Sequence, residues 1–347
     1  MNRRQACATL LGLAAAAPLA ACSSDAIPNR PGPTGPVARV GPTRVPPAPF
    51  PGAGQVFLGL QTNLGPWDFS AVDAFATATH HTPAALQYSV GWAHDEFNGD
   101  RLGAIVKRGM LPIVAWEPWD YTKGRIQPDY RLSVIAGGRY DAYIQSWAKG
   151  IAALRTPVVI RFAHEMNGSW YPWCEQVNGN RPGDFIKAYR HVHEIFTAAG
   201  ARDVTWMWSP NVTYPGAAPL SNLYPGESYV DWVGLSGYYG TGGVTSYVSF
   251  DSIFHTTLQQ VSTFSLKPVV IAETGATNAS GQQARWIAEM FERLPSYPII
   301  GVIWFEATKE IDWRIASRPA AAAAYAAGAA DQRYDVRWTN NSVPRTA

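Results

Sequence analysis

From residue 56 onward, short apolar runs alternate with longer amphipathic ones. The short runs are Val56–Thr62, Ala84–Val90, Leu111–Trp116, Val158–Ala163, Val204–Ser209, Trp232–Ser236, Val269–Ala272 and Ile299–Trp304. Runs of this length, rich in Val and Ile, predict buried strands. Helical spacing of apolar residues predicts helices over Ser70–Ala78, Arg101–Arg108, Arg139–Leu154, Asp184–Ala199, Phe250–Phe264 and Gly281–Arg293. Gly109 and Gly200 stand where helices should stop, and Ser70 and Asp184 where N-caps should sit. The alanine-rich stretch Ala320–Ala330 reads as a closing helix, and 331–347 as a frayed tail. Strands alternating with helices imply parallel βαβ units. Eight of them in about 300 residues is the count of a (β/α)8 TIM barrel, here one α/β catalytic domain over 52–330. A doubly wound open sheet would carry a Gly-rich phosphate loop after its first strand. Gly59-Leu60-Gln61 does not meet that pattern, and no internal repeat or second domain is visible.

The N-terminus reads as an address. Arg3 and Arg4 form a basic start, and Cys7–Ala21 is a stretch of small apolar residues. It is short for a membrane span, which needs about 20 apolar residues. Leu19-Ala20-Ala21-Cys22 resembles a bacterial lipobox. The expectation is a signal peptide over 1–21, lipidation of Cys22, and a mature protein outside the cytoplasm, anchored to the membrane only through its lipid. Arg3-Arg4 also admits twin-arginine export, although the residues that follow fit it poorly. Residues 22–51 carry proline repeatedly, from Pro28 to Pro51, and read as an extended, semi-rigid linker.

Composition narrows the function classes. The chain has 347 residues, 47% hydrophobic and 16% charged, which excludes a disordered chain. A net charge of +2 argues against a nucleic-acid partner. The 14 Trp and 16 Tyr exceed what a core needs and suit stacking on flat sugar rings. Of the cysteines, Cys7 leaves with the signal and Cys22 takes the lipid. Cys174 is left without a partner, so no disulfide is expected.

In a TIM barrel, chemistry sits where strands end at the C-terminal face. The fourth strand ends in His164-Glu165-Met166-Asn167-Gly168, and the seventh in Glu273-Thr274-Gly275. Two carboxyls on opposite walls of one barrel mouth are what glycosidic cleavage requires, one protonated and one ionised. Strand alternation puts Arg161 on the inward face with Ala163 and Glu165, where its guanidinium is expected to pair with Glu273 and favour its ionised form; a purely structural ion pair is the alternative. The third strand ends in Trp116-Glu117-Pro118-Trp119, at the same face. Trp206 and Trp208 alternate on the fifth strand and are read as packing on helices. Metal chemistry finds no support. There is no His-Glu-x-x-His, His191 and His193 are two apart on a helix, and His80 and His81 are adjacent. No metal or organic cofactor is expected.

Arg161-Phe162-Ala163-His164-Glu165-Met166-Asn167-Gly168-Ser169-Trp170-Tyr171-Pro172-Trp173 resembles the acid/base segment of glycoside hydrolase family 26. That family of (β/α)8 retaining enzymes includes β-mannanases, mixed-linkage β-glucanases and β-1,3-xylanases. The resemblance covers about Gln55 to Tyr325, and Ile271-Ala272-Glu273-Thr274-Gly275 matches the nucleophile segment more briefly. It implies Glu165 as acid/base and Glu273 as nucleophile. It implies substrate contacts for His164, Trp170, Tyr238 and Trp304, with Tyr238 bonded to the nucleophile and Trp304 a sugar platform. Trp116, at the same face, joins them as a candidate substrate contact. The expected activity is endo-cleavage of a β-linked polysaccharide, β-1,4-mannan first, by a monomer. Tyr171-Pro172-Trp173-Cys174 departs from the Trp-Trp-Gly of many mannanases, which keeps β-1,3-1,4-glucan open. A non-catalytic carbohydrate-binding lipoprotein is the rival from another class.

Overall fold

The computed structural model describes residues 51–244 and 246–338. The signal peptide, Cys22 and almost all of the linker lie outside the described residues. Eight parallel strands close into a barrel in chain order: β1 (Phe57–Thr62), β2 (Ala85–Gly91), β3 (Leu111–Glu117), β4 (Val158–Phe162), β5 (Val204–Trp208), β6 (Trp232–Tyr239), β7 (Val269–Ala276) and β8 (Ile299–Glu306). Around them run α1 (Ser70–Thr79), α2 (Gly99–Lys107), α3 (Leu132–Ala136), α4 (Asp141–Leu154), α5 (Asp184–Ala198), α6 (Phe250–Ser262), α7 (Gln283–Arg293) and α8 (Pro319–Ala329). This is the expected (β/α)8 architecture.

The strands' alternation divides the core in two. Phe57, Ala85, Ile113, Val159, Met207, Trp232, Val270 and Ile303 fill the barrel interior. The residues between them, such as Val114, Ile160, Trp208 and Val302, meet the helices in the larger outer core. Interior filling is tight at the lower end. A Cβ on Gly301 would lie 2.2 Å from the Phe57 ring, so only glycine fits there.

Several local expectations are corrected. The carboxylate bonded to the first turn of α1 is Asp68, whose Oδ1 accepts from the Ser70 amide at 2.8 Å. Gly183, not Asp184, caps α5. Gly109 and Gly200 do end helices, with φ of 76° and 74°. Helix α3 went unforeseen, and a short 3-10 turn, Leu220–Leu223, stands in the connection between β5 and β6. The segment 331–338, expected to fray, packs under the barrel. Val56 donates to the Arg333 carbonyl at 2.8 Å, Tyr334 and Val336 are buried, and the Trp338 indole donates to the Ala84 carbonyl.

Candidate active site

Arg161 organises the floor of the site. It points inward from β4 and is completely buried. Its Nε donates to Ser209 Oγ at 2.8 Å, Nη2 to Ser236 Oγ at 2.6 Å and Nη1 to Glu273 Oε1 at 2.8 Å. One side chain thus ties β4 to β5, β6 and β7. The Tyr238 hydroxyl, from β6, donates to Glu273 Oε2 at 2.9 Å. Both oxygens of Glu273 are therefore held, one by a cation and one by a phenol. This is the pairing that strand alternation anticipated for Arg161.

Beyond β4 the backbone is unusual. Ala163 and Glu165 adopt left-handed φ values of 48° and 56°. Non-glycine residues rarely do so unless their surroundings enforce it. Here Glu165 N donates to the Ser209 carbonyl at 2.7 Å, and the Trp173 indole donates to the His164 carbonyl at 2.6 Å. Asn167 exchanges hydrogen bonds of 2.9 Å each with the Asn211 backbone. The turn aims Glu165 into the barrel mouth. There Oε2 accepts from the Trp170 indole at 2.7 Å and Oε1 from the Asn211 amide at 3.2 Å. Burial raises the Glu165 pKa, and the charge of Glu273 adds to the rise. Arg161, Lys309 and the Asn211 hydrogen bond oppose it without reversing it.

His164 is buried, with Tyr171 at 5.1 Å and Trp173 at 5.7 Å between ring centres. Burial, then the Arg161 charge, holds its pKa well below the usual imidazole value, so the ring is neutral. Its Nδ1 has no hydrogen-bond partner among the described residues. Tyr171 and Trp173 stack at 4.3 Å, and Trp119 meets both edge-on.

Two expected sugar contacts are corrected. Trp116 and Trp304 are fully buried on the outer faces of their strands. Trp116 packs on Trp147 of α4 and Phe196 of α5. Trp304 packs on Trp286 of α7 and Tyr325 of α8. Their strand neighbours Glu117 and Phe305 take the inward positions. Phe305 and Trp313 flank Tyr238 at 5.9 and 4.8 Å between ring centres. Asn211 escaped the sequence reading, although it follows the fifth strand in Ser209-Pro210-Asn211 just as the glutamates follow theirs. Nothing in the sequence marked Trp313, which reaches the site from a loop. Cys174 is buried, its thiol pushed up by burial to about 12. Among the described residues, no His, Cys, Asp and Glu cluster could hold a metal ion.

The family model of glycosyl hydrolase family 26 matches residues 129–325, a span that includes Glu165, Asn211, Tyr238 and Glu273. The chain belongs to glycosyl hydrolase family 26. It is 32% identical over 312 residues to Endoglucanase H of Acetivibrio thermocellus, a match covering 84% of this chain and 33% of that protein. It is 26% identical over 203 residues to a mannan endo-1,4-beta-mannosidase of Bacillus subtilis, covering 50% of this chain and 55% of that one. The chain thus spans about a third to a half of these relatives' length. Among solved structures, the Bacillus subtilis mannanase BCman superposes with a TM-score of 0.60 at 22% identity, covering 85% of this chain and 91% of that one. The (β/α)8 barrel is therefore shared at low identity.

Proposed function

We propose that this family 26 chain is a retaining endo-β-glycanase, cleaving β-1,4-mannan by double displacement. The carrying observation is the contrast between two neighbouring carboxyls. Glu165 is buried, held by uncharged donors and raised in pKa by burial and then by Glu273's charge. Glu273 lies against a buried guanidinium. Environments that differ in this way assign opposite duties. Glu165 protonates the leaving oxygen while Glu273 attacks the anomeric carbon. Glu165, now ionised, then draws a proton from water, which displaces the sugar from Glu273 with net retention. Tyr238 orients Glu273, and Trp170 lies beside Glu165 on the leaving-group side. His164, neutral and next in the chain to Glu165, is proposed as a substrate contact, as the resemblance implies. A carbohydrate-binding protein without catalysis would need neither carboxyl so arranged.

A second substrate, a β-glucan, is favoured by the likeness to Endoglucanase H across 84% of the chain, and Tyr171-Pro172-Trp173-Cys174 keeps the mixed-linkage form open. We also propose that the protein is a lipoprotein held outside the cytoplasm through Cys22, on the strength of Leu19-Ala20-Ala21-Cys22. Cys22→Ala should then move it from the membrane to the soluble fraction, and unchanged partitioning would remove that proposal.

Reducing-sugar release from mannan, glucomannan and barley glucan tests the activity. Product stereochemistry tests the roles. Glu273→Ala with azide should regain turnover and give inverted glycosyl azide. Glu165→Ala should lose about 10²–10⁴-fold on polysaccharide. It should lose less on an aryl glycoside with an acidic phenol, and azide should trap retained product. The opposite stereochemistry in the two variants would reverse the assignment.

A further inference from the structure

Glu117, at the end of β3, has no part in the chemistry above. It lies two residues beyond Ala115 on the inward face, buried, with Oε2 accepting from the Trp119 indole at 2.8 Å. The Ser89 hydroxyl lies near enough to favour the charged form of the carboxyl. Ser89 stands inward on the neighbouring β2 and is exposed. The pair therefore borders the open barrel mouth and not a packed wall. Beside them the Tyr121 ring lies on the end of β2, since a Cβ at Gly91 would meet it at 2.6 Å. That ring is 52% exposed. Lys309 comes from the loop after β8, which reciprocal Asn63–Thr308 hydrogen bonds of 3.0 and 2.9 Å fix to the loop after β1. Its charge acts on Glu117, Glu165 and Glu273 together.

A comparison inside the molecule separates structural from unemployed carboxyls. Glu306, buried at the end of β8, accepts from the backbone amides of Ile315 at 2.8 Å and Ala316 at 2.9 Å, and so pins a loop. Among the described residues, no backbone amide bonds to the Glu117 carboxyl; those of Trp92 and Trp119 go to its carbonyl. Burial lifts its carboxyl to about 7, with Glu273 adding to the rise and Ser89, Trp119 and Lys309 opposing it. A buried acid that pins no backbone and borders a cleft is a candidate for substrate contact.

We infer that Glu117 is a specificity-determining residue, bonding hydroxyls of the sugar bound on the β2–β3 side of Glu273, beside the Tyr121 face. The inference rests on the glycanase reading above. In its neutral form Glu117 offers a donor and an acceptor from one rigid strand end. Gluco- and manno-configured units differ in the direction of one hydroxyl. A fixed polar pair that satisfies one configuration leaves a buried group unpaired with the other, a difference worth about 10- to 100-fold.

The test uses the full-length chain with manno-oligosaccharides and with mixed-linkage gluco-oligosaccharides. Glu117→Ala should change the ratio of kcat/KM between the two series by about tenfold or more, mainly through KM. An equal fall for both series, or no fall, overturns the inference, because a structural lesion does not discriminate between sugars. Glu117→Gln keeps the shape, a donor and an acceptor, and guards against loss of the fold in the alanine variant. Its kcat/KM should match the parent's below neutral pH and exceed it above, where the parent carboxyl ionises and the amide does not. Glu165 titrates in both proteins and cancels from their ratio. A ratio flat with pH would also overturn the inference. If the parent turns over no β-glycan, the function proposed above falls and this inference with it. If the parent is active and the two ratios do not move, only this inference falls.

Discussion

Both oxygens of Glu165 are held by uncharged donors, Trp170 and Asn211, and both of Glu273 by Arg161 and Tyr238. At this scale the sequence marked the glutamates because each follows an apolar strand, and marked Arg161 by its inward parity. It did not mark Asn211, because asparagine after Ser-Pro reads equally well as a turn residue. Asn211 makes the sharper experiment. Its amide stabilises the charged form of Glu165, lowering a pKa that burial and Glu273 raise. Asn211→Ala removes a lowering contribution, so the folded Glu165 should hold its proton to still higher pH. If Glu165 works first as an acid, activity is present below its pKa and lost above it. The alkaline limb of the pH–kcat/KM profile should therefore move upward, while the looser acid costs about tenfold in kcat. A shift confined to the acid limb would mean that Glu165 works ionised and that the roles are exchanged.

At the scale of elements, the eight strands were legible because buried parallel strands are near-continuous apolar runs. The same property hides which face each residue takes. In Leu111-Pro112-Ile113-Val114-Ala115-Trp116 both faces are apolar, and nothing in the run says that Trp116 turns outward and Glu117 inward. Ile303-Trp304-Phe305 has the same ambiguity: the resemblance implies a sugar platform at Trp304, but Phe305 holds the inward place. In β4 the charge of Arg161 breaks the tie, because a guanidinium needs the polar interior that Ser209, Ser236 and Glu273 provide. The left-handed turn through Ala163 and Glu165 carried no signal, since neither residue is glycine. Hydrogen bonds from distant strands impose that conformation. The same holds for Trp313, placed beside Tyr238 by a loop whose path depends on Glu306.

The barrel as a whole separates stability from chemistry along its axis. Glu165, Glu273 and their partners stand at the C-terminal ends of the strands. Phe57, Leu111 and Trp232 fill the opposite end, where the returning tail covers them. Val336 is buried there and Trp338 half-buried, its ring 5.5 Å from Phe57. The pattern of the tail, Tyr334-Asp335-Val336-Arg337-Trp338, alternates apolar and polar residues, yet it is too short to announce a docking segment. Its partners are interior residues far away in sequence. Deleting residues 336–347 would expose the lower face of the barrel to water. Burying Val336 and half of Trp338 is worth roughly 2–4 kcal/mol at ordinary apolar transfer values. The shortened chain should therefore unfold at a lower urea concentration with a loss of about that size. Well below its unfolding transition, its kcat/KM should equal that of the full chain, because among the described residues none of the site touches 336–338. A large fall in kcat/KM with unchanged unfolding would contradict this division, and would mean that closure at the lower end is felt through the strands at Arg161 and Glu273.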